Sequence, residues 1–275
     1  MAHSEHNLHK PIFKNYKTAM KKVFFLIIAA TIALSAMAQE QFKRCIFVNG
    51  TDTLPYRELA PERPEADQYP LVIFMHGAGE RGIDNEKQLT HGSQMWLNPI
   101  NRKKYPAWVV FPQCPEDGYW AYDKRPDSFA PDAMPILDEP TKYIKLVRGL
   151  VNKYIGEGNI DVNRIYLVGL SMGAMAVYDL AERYPGIWAA AVPICGSVNP
   201  KRLKNCRPVA FSIYHGDADK VVPVEASRQA YKRLKEISAS VEYKEYPGCS
   251  HGSWNPAFCE PNFMKWLFSN TRRDH

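Results

Sequence analysis

One serine sits where a hydroxyl can act as a nucleophile. Gly169-Leu170-Ser171-Met172-Gly173 follows directly on the apolar run from Arg164 to Gly169 and leads directly into a helix-forming stretch from Ala174 to Arg183. This strand–turn–helix context is what a Gly-x-Ser-x-Gly pattern requires. Only small neighbours let strand and helix approach so closely, and the turn holds the hydroxyl at a helix N-terminus, where developing negative charge is favoured. The hydroxyl needs a base to take its proton, and the base needs a group to hold its tautomer. The chain supplies both downstream, in the order serine, acid, histidine. His215-Gly-Asp-Ala-Asp219 precedes Val221-Val-Pro223, and Gly248-Cys-Ser-His251-Gly-Ser-Trp254 follows later. His251 is the expected base. Asp219 is preferred as its orienting acid over Asp217, which is expected to shape the turn, and His215 is expected to hold that loop. His91 is the weaker choice of base because it lies before the serine.

Acyl transfer builds negative charge on a carbonyl oxygen, which preorganised backbone N–H groups stabilise. One donor is expected from Met172, the residue after the serine. The other is expected from His76-Gly-Ala-Gly-Glu-Arg-Gly82, with Ala78 preferred and Gly79 next. That loop lacks the Gly-Lys-Ser/Thr ending of a phosphate loop. His76 is expected to bond backbone, and Glu80 and Arg81 to brace the loop. Trp96, Trp120 and Trp254 lie in or beside the same loops, as do Tyr119 and Met172. The three tryptophans are read as pocket lining for an aromatic acyl ring or a sugar face.

The elements that must position these groups are legible as short apolar runs. Residues 69–75, 107–111, 164–169, 188–194 and 209–214 are unbroken and β-rich, which suits strands buried on both faces of a parallel sheet. Residues 241–246 alternate and suit an edge. Helical stripes are expected over 136–155, 172–183, 224–237 and 261–269. Strands alternating with helices indicate a doubly wound α/β sheet, and residues 42–58 add an antiparallel extended pair. Residues 76–106 and 112–135 are long connections of the kind that carry function. No lid-sized helical insertion separates the serine from the acid, which argues against interfacial lipase activity.

The N-terminus reads as a leader. Lys21-Lys22, an apolar run over residues 23–34 and Ala36-Met37-Ala38 together resemble a secretory signal peptide. Met20 is the expected start, residues 1–19 an upstream extension, and cleavage is expected after Ala38. This leaves residues 39–275 as one catalytic domain, secreted or periplasmic, with no stable membrane association once the leader is removed. Residues 1–38 hold five lysines and one glutamate, so their removal lowers the formal charge from +6 to +2. The basic balance is therefore mostly leader, and no clustered basic face for nucleic acid is expected. The six cysteines show no metal-ligand spacing. Cys249 and Cys259 flank His251 and are a candidate staple for that loop, whereas Cys195 and Cys206 fall at opposite ends of neighbouring strands, too far apart to bond.

His76–Gly82 with Asp84-Asn85-Glu86, Pro112-Gln-Cys-Pro115 with Trp120, Gly169–Gly173, His215–Asp219 with Val222-Pro223, and His251 with Trp254 resemble bacterial secreted esterases of the α/β-hydrolase fold. These are the phospholipase/carboxylesterase-like proteins and predicted peptidases related to feruloyl and acetyl xylan esterases and to polyhydroxybutyrate depolymerases. The resemblance covers about residues 45–270. It implies Ser171, Asp219 and His251 as a catalytic triad, hydrolysis of carboxylic esters through an acyl-enzyme, and a substrate that is a small ester or an acylated plant polysaccharide, with no cofactor. Cys249 and Cys259 depart from the family pattern. Two other readings stay open: a serine peptidase of the same fold, and a non-catalytic binding protein built on it.

Overall fold

The computed structural model describes residues 40–62 and 67–272. The expected leader lies outside the described residues. Chain contacts divide the protein into residues 1–41 and residues 42–275, and the elements below belong to the second unit. Eight strands form one sheet: β1 (Lys43–Asn49), β2 (Asp52–Leu59), β3 (Tyr69–Met75), β4 (Trp108–Pro112), β5 (Ile160–Leu170), β6 (Ala190–Ile194), β7 (Ala210–Gly216) and β8 (Val241–Tyr246). Among the described residues seven helices accompany them: α1 (Ser93–Leu97), α2 (Pro99–Lys104), α3 (Lys142–Gly156), α4 (Met172–Arg183), α5 (Glu225–Glu236), α6 (Trp254–Phe258) and α7 (Phe263–Ser269).

The strand order is β1-β2-β4-β3-β5-β6-β7-β8. The β1–β2 and β2–β4 pairs are antiparallel and every later pair is parallel. This is the doubly wound, mostly parallel sheet with an antiparallel entry that the sequence predicts. All residues of β3, β6 and β7 are buried, because helices cover both faces and no side chain along these strands meets water. Leu71, Ile73 and Met75 point into the large cluster built on α3 and α4. On the opposite face Phe74 stacks on Phe111 at 4.4 Å and meets Phe258 of α6 at 5.7 Å.

Helix α3 begins six residues later than its apolar stripe suggests. Pro140 precedes Thr141, whose hydroxyl caps the helix by accepting from the Ile144 N–H at 3.2 Å. Ile136 lies before the helix and is half exposed. Between β6 and β7 there is only the 3-10 turn Pro200–Asn205, so no lid lies between Ser171 and Asp219. Among the described residues, no helix is long and apolar enough to cross a membrane.

Candidate active site

Ser171 is the single residue between β5 and α4, with φ 52° and ψ −117°. A side chain at this φ is strained, by roughly 1–3 kcal/mol. The strain is held because the surroundings allow no other path. A Cβ on Gly173 would lie 2.0 Å from the Met75 carbonyl oxygen, and one on Gly169 would lie 2.6 Å from that of Gly173. The Ser171 N–H is tied to the Ile194 carbonyl at 2.8 Å. The turn therefore lifts the hydroxyl off the carboxyl ends of the parallel strands, towards the loops that follow β7 and β8.

Those loops carry Asp219 and His251. Ser171 Oγ lies 2.9 Å from His251 Nε2, and His251 Nδ1 lies 2.7 Å from Asp219 Oδ2. His215 Nε2 approaches the same carboxylate oxygen at 3.2 Å, while the N–H groups of Val221 and Val222 donate to Oδ1 at 2.8 and 3.0 Å. Burial alone would raise the Asp219 pKa. The bonds from His215, His251 and Val221 outweigh it and hold the carboxyl well below the usual carboxylate range. His215 Nε2 faces two acceptors, Asp219 and the Val222 carbonyl at 3.0 Å, so we place its proton there. Its Nδ1 then accepts from the Ser227 hydroxyl at 2.7 Å. Asp217 points elsewhere: it accepts the Gly248 N–H at 2.7 Å, joining the acid loop to the loop before His251.

Ala78 opens the 3-10 turn Ala78–Glu80, and Met172 is the first residue of α4, whose N–H has no partner within the helix. The Ala78 loop is held from behind. His76 Nδ1 donates to the Gly77 carbonyl at 2.6 Å, and the Cys114 N–H donates to His76 Nε2 at 3.0 Å. Burial pushes the His76 pKa down to about 4, which keeps the ring neutral at neutral pH, as an accepting nitrogen requires. Arg81 Nε and Nη1 donate to the carbonyls of Ala78 and Gly118 at 3.0 and 3.1 Å. Glu80 Oε1 lies 3.5 Å from His91 Nε2.

A cavity of about 270 Å³ opens over Ser171 and His251, bounded by the Gly77–Glu80 loop and by Leu170, Tyr119, Arg125, Phe129, Val221 and Trp254. Of the three tryptophans expected there, Trp254 alone lines it, edge-on to His251 with ring centroids 5.5 Å apart. Trp120 is fully buried instead. Its indole N–H donates to the His76 carbonyl at 3.1 Å, so it supports the Ala78 loop from the core side. Trp96 is buried in α1 against Phe268 of α7, ring centroids 6.4 Å apart, at a separate crevice beside Arg102 and Tyr105. The reason is common to both: a loop aromatic buries whichever face the neighbouring elements offer, and adjacency in sequence does not choose that face. Arg125, Phe129 and Val221 join the pocket without having been singled out. The signal that bore on the first two was the length of the connection over residues 112–135.

All six cysteines are free, so Cys249 and Cys259 do not staple the His251 loop. Cys259 is exposed at the end of α6, while Cys249 is part-buried in the turn before His251. Cys195 lies inside the site, unanticipated, with a φ of 44°. Its Sγ and the nearest ligand atoms of Asp219 and His251 all lie within 4.8 Å of one another. Burial pushes its thiol up, which favours the protonated form beside the Asp219–His251 pair.

Comparison with known proteins places this geometry. Residues 58–260 match the phospholipase/carboxylesterase family. Carboxylesterase SOBER1 of Arabidopsis thaliana is 24% identical over 206 residues, covering 67% of this chain and 84% of that protein. Acyl-protein thioesterase 1 of Gibberella zeae is 26% identical over 221 residues, covering 69% and 87%. The crystal structure of a thermostable esterase superposes with a TM-score of 0.77 at 34% identity, over 86% of this chain, which spans 64% of that protein's length. A ferulic acid esterase from Anaeromyces mucronatus, solved with ferulic acid, shares the fold with a TM-score of 0.61 at 16% identity, over 83% of this chain and 90% of its own. With an eight-stranded, mostly parallel sheet and a match across most of its length, this chain belongs to the phospholipase/carboxylesterase family of α/β-hydrolases.

Proposed function

We propose that this protein is a serine carboxylesterase working through an acyl-enzyme, with Ser171 as nucleophile. The observation that carries the reading is the unbroken line of contacts from Ser171 Oγ through His251 to Asp219, at 2.9 and 2.7 Å, at the mouth of one cavity. His251 Nε2 takes the hydroxyl proton as Ser171 Oγ attacks the ester carbonyl carbon. The charge that develops on the carbonyl oxygen meets the N–H groups of Ala78 and Met172. Asp219 stabilises the imidazolium and fixes its orientation. His251 then protonates the leaving alcohol, deprotonates a water that attacks the acyl-enzyme, and returns the proton to Ser171 as the acid departs.

The favoured substrates are feruloyl (hydroxycinnamoyl) or acetyl esters of plant cell-wall polysaccharide. Tyr119, Phe129 and Trp254 give the pocket aromatic walls suited to such an acyl ring. Residues 20–38 act as an export signal in this proposal, and residues 39–275 are the secreted or periplasmic enzyme. The test uses protein lacking residues 1–38 and its Ser171→Ala variant, assayed on methyl ferulate, acetylated xylan and a p-nitrophenyl acyl series. Ferulate or xylan-acetate turnover by the parent and none by the variant supports the whole reading. Turnover of short p-nitrophenyl esters alone keeps the esterase and removes the polysaccharide role. Equal activity in both proteins removes Ser171 as nucleophile.

A further inference from the structure

The cavity over Ser171 is mostly apolar, yet one cation at its rim has no hydrogen-bond or carboxylate partner among the described residues. Arg125 is exposed and makes no hydrogen bond or ion pair among the described residues. Arg81, Arg102, Arg183, Arg202 and Arg228 are each bonded to carbonyls or carboxylates. Arg125 is nonetheless not a loose surface chain. Its guanidinium lies over the Phe129 ring, 5.1 Å from the centroid, and Phe129 is anchored through its carbonyl, which accepts from the buried Ser197 hydroxyl at 2.8 Å. The intervening Pro126 is buried. An aromatic platform of this kind restrains a guanidinium while leaving its donors open. The cavity's one carboxylate, on Glu80, is nearly buried and turned to His91 at 3.5 Å, so it does not neutralise Arg125. The remaining titratable groups lining the cavity are Tyr119 and His251.

We infer that Arg125 is a specificity-determining residue that selects esters carrying a carboxylate, paired with its guanidinium when the ester carbonyl reaches Ser171. The inference rests on the esterase reading above. An anionic group at the pocket mouth finds an oriented two-pronged donor whose desolvation is already partly met by the Phe129 ring.

The experiment measures kcat/KM on two matched pairs, one with the charge on the acyl side (monomethyl glutarate against methyl pentanoate) and one with it on the alcohol side (3-carboxyphenyl acetate against phenyl acetate). The readout is the anionic-to-neutral ratio in the parent, Arg125→Lys and Arg125→Glu. In at least one pair the ratio falls about tenfold or more in Arg125→Glu and by less in Arg125→Lys, because Lys keeps the charge and loses the fork. In the parent the same ratio falls when NaCl is raised to about 0.5 M, since an exposed pair is screened. This arm needs no folded variant. A ratio unmoved by substitution and by salt in both pairs overturns the inference while leaving the esterase standing. A parent that turns over neither member of either pair overturns this inference, and the esterase reading falls with it only when methyl ferulate, acetylated xylan and the p-nitrophenyl esters are left intact as well.

Discussion

The strain at Ser171 makes a prediction in which stability and activity part company. Ser171→Gly removes the hydroxyl and also the Cβ that disfavours φ 52°, ψ −117°. Relief of that strain contributes roughly 1–3 kcal/mol. The greater freedom of glycine in the unfolded chain offsets roughly 0.4–1 kcal/mol of it. The net expectation is a folded state more stable by about 1 kcal/mol, or a Tm higher by roughly 2–4 °C for a domain of this size. Ser171→Ala is the control, because it loses the same hydroxyl but keeps the Cβ and hence the strain. Both variants should be inactive on esters, and differential scanning calorimetry should rank glycine above alanine. The gain is expected because the elbow is enforced from outside by the Gly173–Met75 and Gly169–Gly173 approaches, so the backbone keeps its path whatever residue occupies position 171. A glycine variant no more stable than the alanine variant would refute the argument that the turn stores strain at the serine.

Four further variants test the same geometry. Asp219→Asn should lower kcat by about three to four orders of magnitude, as expected when the His tautomer is no longer held. It should also lower Tm at pH 7, and because the folded carboxyl is held below its unfolded value near 4, the Tm gap to the parent should be full above that pH and close as pH falls below it. His76 is depressed to about 4 from an unfolded value near 6.5, so its contribution is present above pH 6.5 and is lost as pH falls from there towards 4. His76→Gln should be less stable at pH 7 and show a shallower acid slope over that window in urea titrations. Trp120→Phe leaves a buried gap and removes the donor to the His76 carbonyl, so it should cost about 1–3 kcal/mol of stability. Trp254→Ala, at the pocket wall, should instead change kcat/KM between aryl and acetyl esters with a smaller effect on Tm, and the reverse ranking would return Trp120 to the pocket.

The sequence by itself determined the parts of this protein whose cause is local. The elbow at Ser171 is a pattern of five residues between a strand and a helix, and the two glycines are demanded by contacts that any such turn makes. The sheet was legible because β3, β6 and β7 are buried on both faces and so read as unbroken apolar runs, while β8 alternates. The order of Ser171, Asp219 and His251 along the chain was legible for the same reason, since Ser171 follows directly on β5 and the other two lie in the loops after β7 and β8. Tertiary structure decided what depends on partners distant in sequence. Asp217 and Asp219 are alike in type and two positions apart, and only the folded loops send one to the Gly248 N–H and the other to His251. Trp96, Trp120 and Trp254 are chemically identical, and Phe268, His76 and His251 respectively decide which face each presents. Cys249 and Cys259 were near enough in sequence to suggest a bridge, but in the fold both are free thiols. Arg125 drew no attention in the sequence, and only the fold lays it over Phe129 at the rim of the cavity, because whether a cation is paired depends on which carboxylates the folded chain brings within reach, and among the described residues none forms an ion pair with it.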